Sequence, residues 1–458
     1  MSSTSKNSTL IQDFTTGNIT RQLLKFSAPL FLANLLQIVY NMVDMVIVSY
    51  AVGKTGLSAV AVGGDVSSFL TFISIGFSAA TQIIIAQNIG AGRKDELGRL
   101  IGTAFQFLFS CAIAMGVICF VLRRQILNIL NTPAESFEQA LGYSTVCIAG
   151  LIFIYGYNTV SAVLRGLGDS KHPLIFVAIA ASMNVVLDLL FVVKFHLGAA
   201  GAALATVISQ AFSFICCIIF LWKNRHKLGF EVHVEHFLHI DRAMLKSLVN
   251  LGIPLALRLA AIQFSVLFVS SWINSYGVAV SAMAGIGNKL FNISSLFSNA
   301  VNAAGSSMVG QNIGAGNFDR VPKILRSAFS IVGSIALVLS ALVICFPHQV
   351  FGIFTNDPEV MVLALEYIPI AVLMFFGCAC RDTMYALTNG SGNTKINFIC
   401  AILDGLILRI FLSLFFGLYL GMEYRGFWLG SALSGFTPTV ISLIFYFSGK
   451  WKKQPSLH

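Results

Sequence analysis

The stretch "AQNIGAGRKDELGRLIGTAF", residues 86–105, returns as "GQNIGAGNFDRVPKILRSAF", residues 310–329. The offset is 224 residues, and it carries more than one motif. Asp95 maps onto Asp319, Gly166-Leu167-Gly168 onto Gly390-Ser391-Gly392, Lys171 onto Lys395, Gly53 onto Gly277 and Gly63 onto Gly287. Near the start the offset slips by one and takes Pro29 to Pro254. The chain therefore reads as two halves built from one ancestor. A phosphate-binding loop is set aside, because neither copy has the Gly-Lys-Ser/Thr of a Walker A motif. Each glycine run reads instead as a helix end followed by a basic helix start.

The rest of the sequence says what kind of halves these are. Of 458 residues, 56% are hydrophobic and only 10% charged, and the mean hydropathy is +0.82. Soluble domains carry about 25% charged residues, so a polytopic membrane protein is expected. Twelve apolar segments are long enough to span a bilayer: 27–51, 57–86, 99–122, 137–165, 173–195, 199–222, 247–275, 279–310, 322–346, 360–388, 395–418 and 425–449. The polar first 20 residues give no sign of a cleavable signal peptide. The expected fold is all-α and integral to the membrane, with twelve transmembrane helices in two six-helix lobes. Six is even, so both halves enter the membrane in the same sense and a pseudo-two-fold axis runs along its normal. The expected division is an N-lobe over 1–222, a connector over 223–246 and a C-lobe over 247–458.

The net charge of +10 is topological. Loops and tails on one side hold 21 Lys and Arg, among them Arg381, and the other side holds 5. The positive-inside rule then places both termini in the cytoplasm, with the protein in the cell membrane, and it removes the case for nucleic acid as a partner. All nine cysteines fall in the spans and none has the spacing of paired metal motifs. His233, His236 and His239 step by three in the connector and read as a solvated face rather than a metal site, which would need a fixed geometry.

Ionisable residues within spans are costly and are functional candidates by default. In the first span Asn34, Gln37, Asn41 and Asp44 step by 3, 4 and 3 and share one helical face, with Tyr40 beside it. Asn184 and Asp188 share a face of the fifth span; Thr206 follows on the sixth and Asn158 lies on the fourth. Two carboxylates with amide and hydroxyl oxygens suit a hard monovalent cation, and equally a proton. The eighth span carries a row through Asn288, Asn292 and Asn299, which with Asn34, Gln37, Tyr40 and Asn41 are the candidates for the walls of a substrate cavity. Arg258, Lys289, Asp404 and Arg409 form a possible charge network in the second half, where Asp404 could pair with Arg409 or Lys289 across helices.

With "QNIGAGRKDELGR" and its copy, "LRGLGDSKHP" and its weaker copy "TNGSGNTKIN", "NVVLDLLFV" and "GAAGAALAT" in hand, the chain resembles the multidrug and toxic compound extrusion family over nearly its whole length. The resemblance implies a monomeric secondary transporter, not an enzyme and without a cofactor. It would expel organic cations and other amphipathic small molecules against H+ or Na+ by rocking two lobes. It also implies that Asp44, Asn184, Asp188 and Thr206, with Asn158 nearby, form the cation or proton site, Na+ being the possible metal. Another branch of the family carries acidic residues in the second half where Ile262, Gln263 and Cys378 stand here, so a sodium site of that kind is not expected. A lipid-linked precursor flippase of the same wider superfamily is the alternative; it would need a larger cavity lined by several cations, for which Arg258, Lys289 and Arg409 are candidates.

Overall fold

The computed structural model describes residues 11–227, 230–231 and 233–452, and among these it contains helices and no strand. Twelve long helices follow in order. The N-lobe holds α1 (Ile19–Val52), α2 (Lys54–Gly90), α3 (Leu97–Ile129), α4, α5 and α6 (Gly198–Lys223). In α4, Phe137–Ala149 and Leu151–Gly166 meet at a bend of 49°. In α5, Lys171–Asp188 runs on as a π-helical Leu189–Lys194. The C-lobe holds α7 (Arg242–Asn274), α8 (Val278–Gly314), α9 (Val321–Cys345), α10 (Pro358–Gly390), α11 and α12. In α11, Thr394–Ile402 and Leu408–Leu414 alternate with π-helical Leu403–Ile407 and Phe415–Tyr419; α12 comprises Glu423–Ser434 and Thr437–Phe447. Among the described residues ten helices are long and apolar enough to cross a bilayer singly, and the bent α4 makes an eleventh. Helix α8 has the length, 37 residues, but its row of asparagines makes it less apolar than those ten. Val117, Val121, Leu337, Val338, Ile444 and Phe447 point outward and are exposed, which costs nothing where the surrounding solvent is lipid.

The duplicated motif builds the same helix end twice. The Arg93 amide donates to the Asn88 carbonyl and the Gly92 amide to Ile89; the Asn317 amide donates to Asn312 and the Gly316 amide to Ile313. This is a Schellman cap, whose closing residue takes a left-handed backbone that favours glycine. Gly92 and Gly316 have φ of 74° and 75°.

Packing does not follow the halves completely. One apolar core gathers α2–α6 and the other α8–α12. Yet Leu23, Phe26 and Leu30 at the start of α1 belong to the C-lobe core, and Met244, Leu248, Leu251 and Leu255 at the start of α7 belong to the N-lobe core. The two lead helices cross over at the end of the molecule that bears the duplicated turns and the connector. At that end Gly98 and Gly102 of α3 leave room for His236 of the connector.

A strap of residues 12–17 seals the same end. The Gln12 amide donates to the Leu167 carbonyl in the N-lobe. The Phe14 amide donates to Gln311 Oε1, and Gln311 Nε2 donates to the Gln12 carbonyl. Asn312 and Arg320 donate to the Phe14 carbonyl, and Arg320 also reaches Thr16 and Gly17. Phe14 is wholly buried in the C-lobe core. Partial burial works to raise the Asp13 carboxyl, but the Thr15 hydroxyl and amide, the Thr16 hydroxyl and the Arg320 charge together hold it below the usual carboxylate value.

Candidate functional site

Helix α1 carries its polar face along the N-lobe. Tyr40 and Asp44 turn inward, 8% and 6% exposed, while Asn34 is half-buried and Gln37 and Asn41 are exposed. Across from Asp44 stands Asp188, fully buried at the point where α5 loosens into its π-helical stretch. The two carboxyl groups lie at contact distance. Asn184, one turn earlier, donates from Nδ2 to Thr206 Oγ1 of α6 at 3.3 Å. That bond leaves the amide oxygen free. Among the described residues no donor reaches Asp44 Oδ1, either oxygen of Asp188, or Asn184 Oδ1. Buried acceptors are ordinarily paired. A cluster of four bare oxygens, two of them on one carboxylate, has the chemistry of a proton or hard-cation site.

Two further groups stand around this cluster. The Tyr40 hydroxyl is in contact with Gln37 and Gln210. Tyr143 and Cys147 of α4 touch one another and lie close to Asp44. Gln210 was within reach of sequence reasoning, because it lies four residues after Thr206 and so on the same face of α6. Tyr143 and Cys147 had no such signal. Asn158 has a different partner: its Nδ2 donates to Ser74 of α2 at 3.1 Å.

In the C-lobe the structure assembles three of the four charged candidates. Arg258 donates to Asn389 Oδ1 at 3.3 Å and lies over the Tyr385 ring at 4.0 Å. The Tyr385 hydroxyl donates to Asp404 Oδ2 at 2.9 Å, and Arg409 Nη2 stands 3.9 Å from Asp404 Oδ1. Asp404 and Arg409 are on one helix, not on two. Five residues do not share a face of an α-helix, but the π-helical Leu403–Ile407 between them widens the turn and brings them together. Lys289 stays apart, exposed, with its ammonium 5.5 Å from the Phe354 ring. Arg381 is no loop residue: it is buried inside α10 and pairs with Asp382 at 3.2 Å. That removes it from the basic-loop tally and leaves the bias intact.

A cavity of about 310 Å³ lies within the C-lobe among α7, α8, α10, α11 and α12. Asn288 and Asn292 of the α8 row line it, together with Arg381 and Arg409, and so do Ile262, Gln263 and Cys378. Asn299, farther along the row, is exposed and outside that lining. Tyr385, which ties Arg258 to Asp404, was not singled out in the sequence because nothing in its local spacing marks it.

The MatE family model matches this chain twice, over residues 29–190 and 254–415. The probable multidrug resistance protein YpnP of Bacillus subtilis is 30% identical over 441 residues, 96% of this chain and 97% of that one. The probable multidrug resistance protein YoeA of the same organism is 26% identical over 455 residues, 98% of each. A solved MOP superfamily transporter from Pyrococcus furiosus superposes with a TM-score of 0.88 at 21% identity, covering 99% of this chain and all of that one.

Proposed function

The chain belongs to the multidrug and toxic compound extrusion family, and from that premise we propose that it is a secondary active efflux transporter. It exports organic cations and other amphipathic compounds against H+ or Na+, by alternating access of an N-lobe over 1–222 and a C-lobe over 247–458 joined by the connector at 223–246. Family membership and the relatives' names support export of small molecules across a membrane, with a transport protein's role rather than an enzyme's. Both termini are taken as cytoplasmic from the loop charge bias.

The observation that carries the coupling is the contact of Asp44 with Asp188. Two carboxylates cannot lie side by side in a buried site without a cation between them or a proton on one. The bare oxygen of Asn184 adds a third ligand, and Thr206 orients that amide. With the cavity open outward, a proton or Na+ enters and neutralises the pair. The loss of charge repacks α1 around Pro29 and Asn34 and releases a cationic substrate. Return to the inward state delivers the ion to the cytoplasm. The flippase alternative draws less support: Arg258 and Lys289 do not line the C-lobe cavity, and about 310 Å³ is small for a lipid-linked precursor.

Purified protein in liposomes, with a pH gradient and a Na+ gradient imposed separately, tests the reading. Efflux of an organic cation driven by one gradient is the expected result. No efflux under either, with movement of a lipid-linked anionic precursor instead, would replace it.

A further inference from the structure

We propose that the C-lobe cavity is a binding subsite for a carboxylate-bearing aromatic compound, with Arg409 and Arg381 recognising the anion. The proposal rests on the transport reading only in treating the compound as cargo.

The charge inventory motivates it. Two guanidinium groups line the cavity and no carboxylate among the described residues does. Arg381 is matched by its neighbour Asp382, to which it donates at 3.2 and 3.3 Å, whereas Arg409 has only Asp404, beyond hydrogen-bond distance. A cation left inside a membrane protein without a partner is costly. Internal pairing does not account for Arg409. It is 5% exposed, its Nη1 donates to the Ser431 hydroxyl at 3.2 Å, its Nη2 is 3.9 Å from Asp404, and its Nε has no partner among the described residues. Asp404 is itself engaged by Tyr385 at 2.9 Å. The unpartnered Nε–H leaves the Arg409 guanidinium one donor for a carboxylate, in a charge-assisted bond.

The remaining walls define the rest of the ligand. Phe291 and Trp428 offer aromatic surface, and Gln263 and Asn292 offer neutral amide donors. Aromatic side chains pack well against a flat ring. A volume of about 310 Å³ is at the small end of ligand sites, which favours one fused ring system over an extended chain.

The test uses the full-length protein in detergent micelles at neutral pH, with 2-naphthoate and its uncharged counterpart 2-naphthamide as probes. Equilibrium dialysis against empty micelles measures binding, and quenching of tryptophan emission, compared with Trp428→Phe, locates it. Naphthoate should bind at least tenfold more tightly than naphthamide, and Arg409→Gln should erase the preference while Arg409→Lys retains part of it. Equal binding of acid and amide, or no binding of the acid, overturns the proposal, and so does an acid preference that survives both Arg409→Gln and Arg381→Gln. If either variant fails to fold, the comparison of the two probes on the unaltered protein still decides. Cation efflux in liposomes is scored separately. Loss of efflux with the acid preference intact removes the transport reading alone, and the converse removes this subsite alone.

Discussion

Gly90 and Gln311, one from each copy of the repeated motif, meet backbone to backbone where α2 and α8 end. A methyl group on Gly90 would collide with the Gln311 carbonyl oxygen, and one on Gly314 would collide with the Gln87 carbonyl oxygen. The contact is thus made twice, each glycine receiving the other copy's glutamine. Around it Gln82 Nε2 donates to the Ala303 carbonyl and the Ser307 hydroxyl, and Gln87 Nε2 to the Gly390 carbonyl. The motif recurs because it builds both sides of one seam. Its two glycines have separate duties, close approach for the first and backbone conformation for the second.

Gly90→Ala and Gly314→Ala should each destabilise this seam by about 1–3 kcal/mol, the usual cost of overpacking. Both act on one interface, so their effects on melting temperature in detergent should fall short of additive. A variant at either position with unchanged melting and transport would show that the two helix ends do not meet this closely.

Asp44→Asn and Asp188→Asn should each abolish gradient-driven efflux while leaving membrane insertion intact, since Asn keeps the volume and removes the charge. The double variant should be no worse than either single one, as for groups that act as a unit. Vesicle efflux normalised to protein amount measures this. Full coupled transport by either single variant would move the ion site elsewhere, with Asp404 the next candidate.

Asn184 and Asn158 should separate. Asn184→Ala removes a bare oxygen beside the carboxylates and frees Thr206, and it should weaken the ion dependence of transport at least tenfold. Asn158→Ala removes a bond to Ser74 and should cost about 1 kcal/mol of stability without altering the ion dependence. Ion titration of efflux for the two variants distinguishes them; equal shifts would place Asn158 in the ion site as well.

Asp13 makes a pH prediction. Its folded-state carboxyl sits below the usual value, so its charge stabilises the strap above the unfolded value, about 4, and that contribution is lost as pH falls through the depressed one. Asp13→Asn should therefore lower the melting temperature at neutral pH, and the gap from the unaltered protein should close only in strong acid. A gap that closes between pH 7 and pH 5 would contradict this.

Much of the architecture is readable along the chain because hydropathy and helical periodicity are local properties. The repeat, the spans and the α1 row from Asn34 to Asp44 need nothing beyond residue type and spacing. The pairing of partners is another matter. Asn184 and Asp188 share a helix face by spacing, but their meeting with Asp44 depends on how α5 packs against α1. Asn158 has the residue type of a ligand and faces Ser74 of α2. Lys289 and Arg409 look equivalent as intramembrane cations, yet one points to Phe354 and the other to Asp404.

The sequence by itself determined that this is a two-fold repeated membrane bundle with acids buried in its first half, because apolar length and charge penalty act on each segment separately. The tertiary structure alone decided that Asp44 touches Asp188 and that Arg409 turns toward Asp404 and an acid-free cavity. The physical reason is that helix packing and π-helical register, at Leu189–Lys194 and Leu403–Ile407, set which faces meet. A single widened turn rotates every side chain that follows it, and α-helical spacing counted along the chain does not register that rotation.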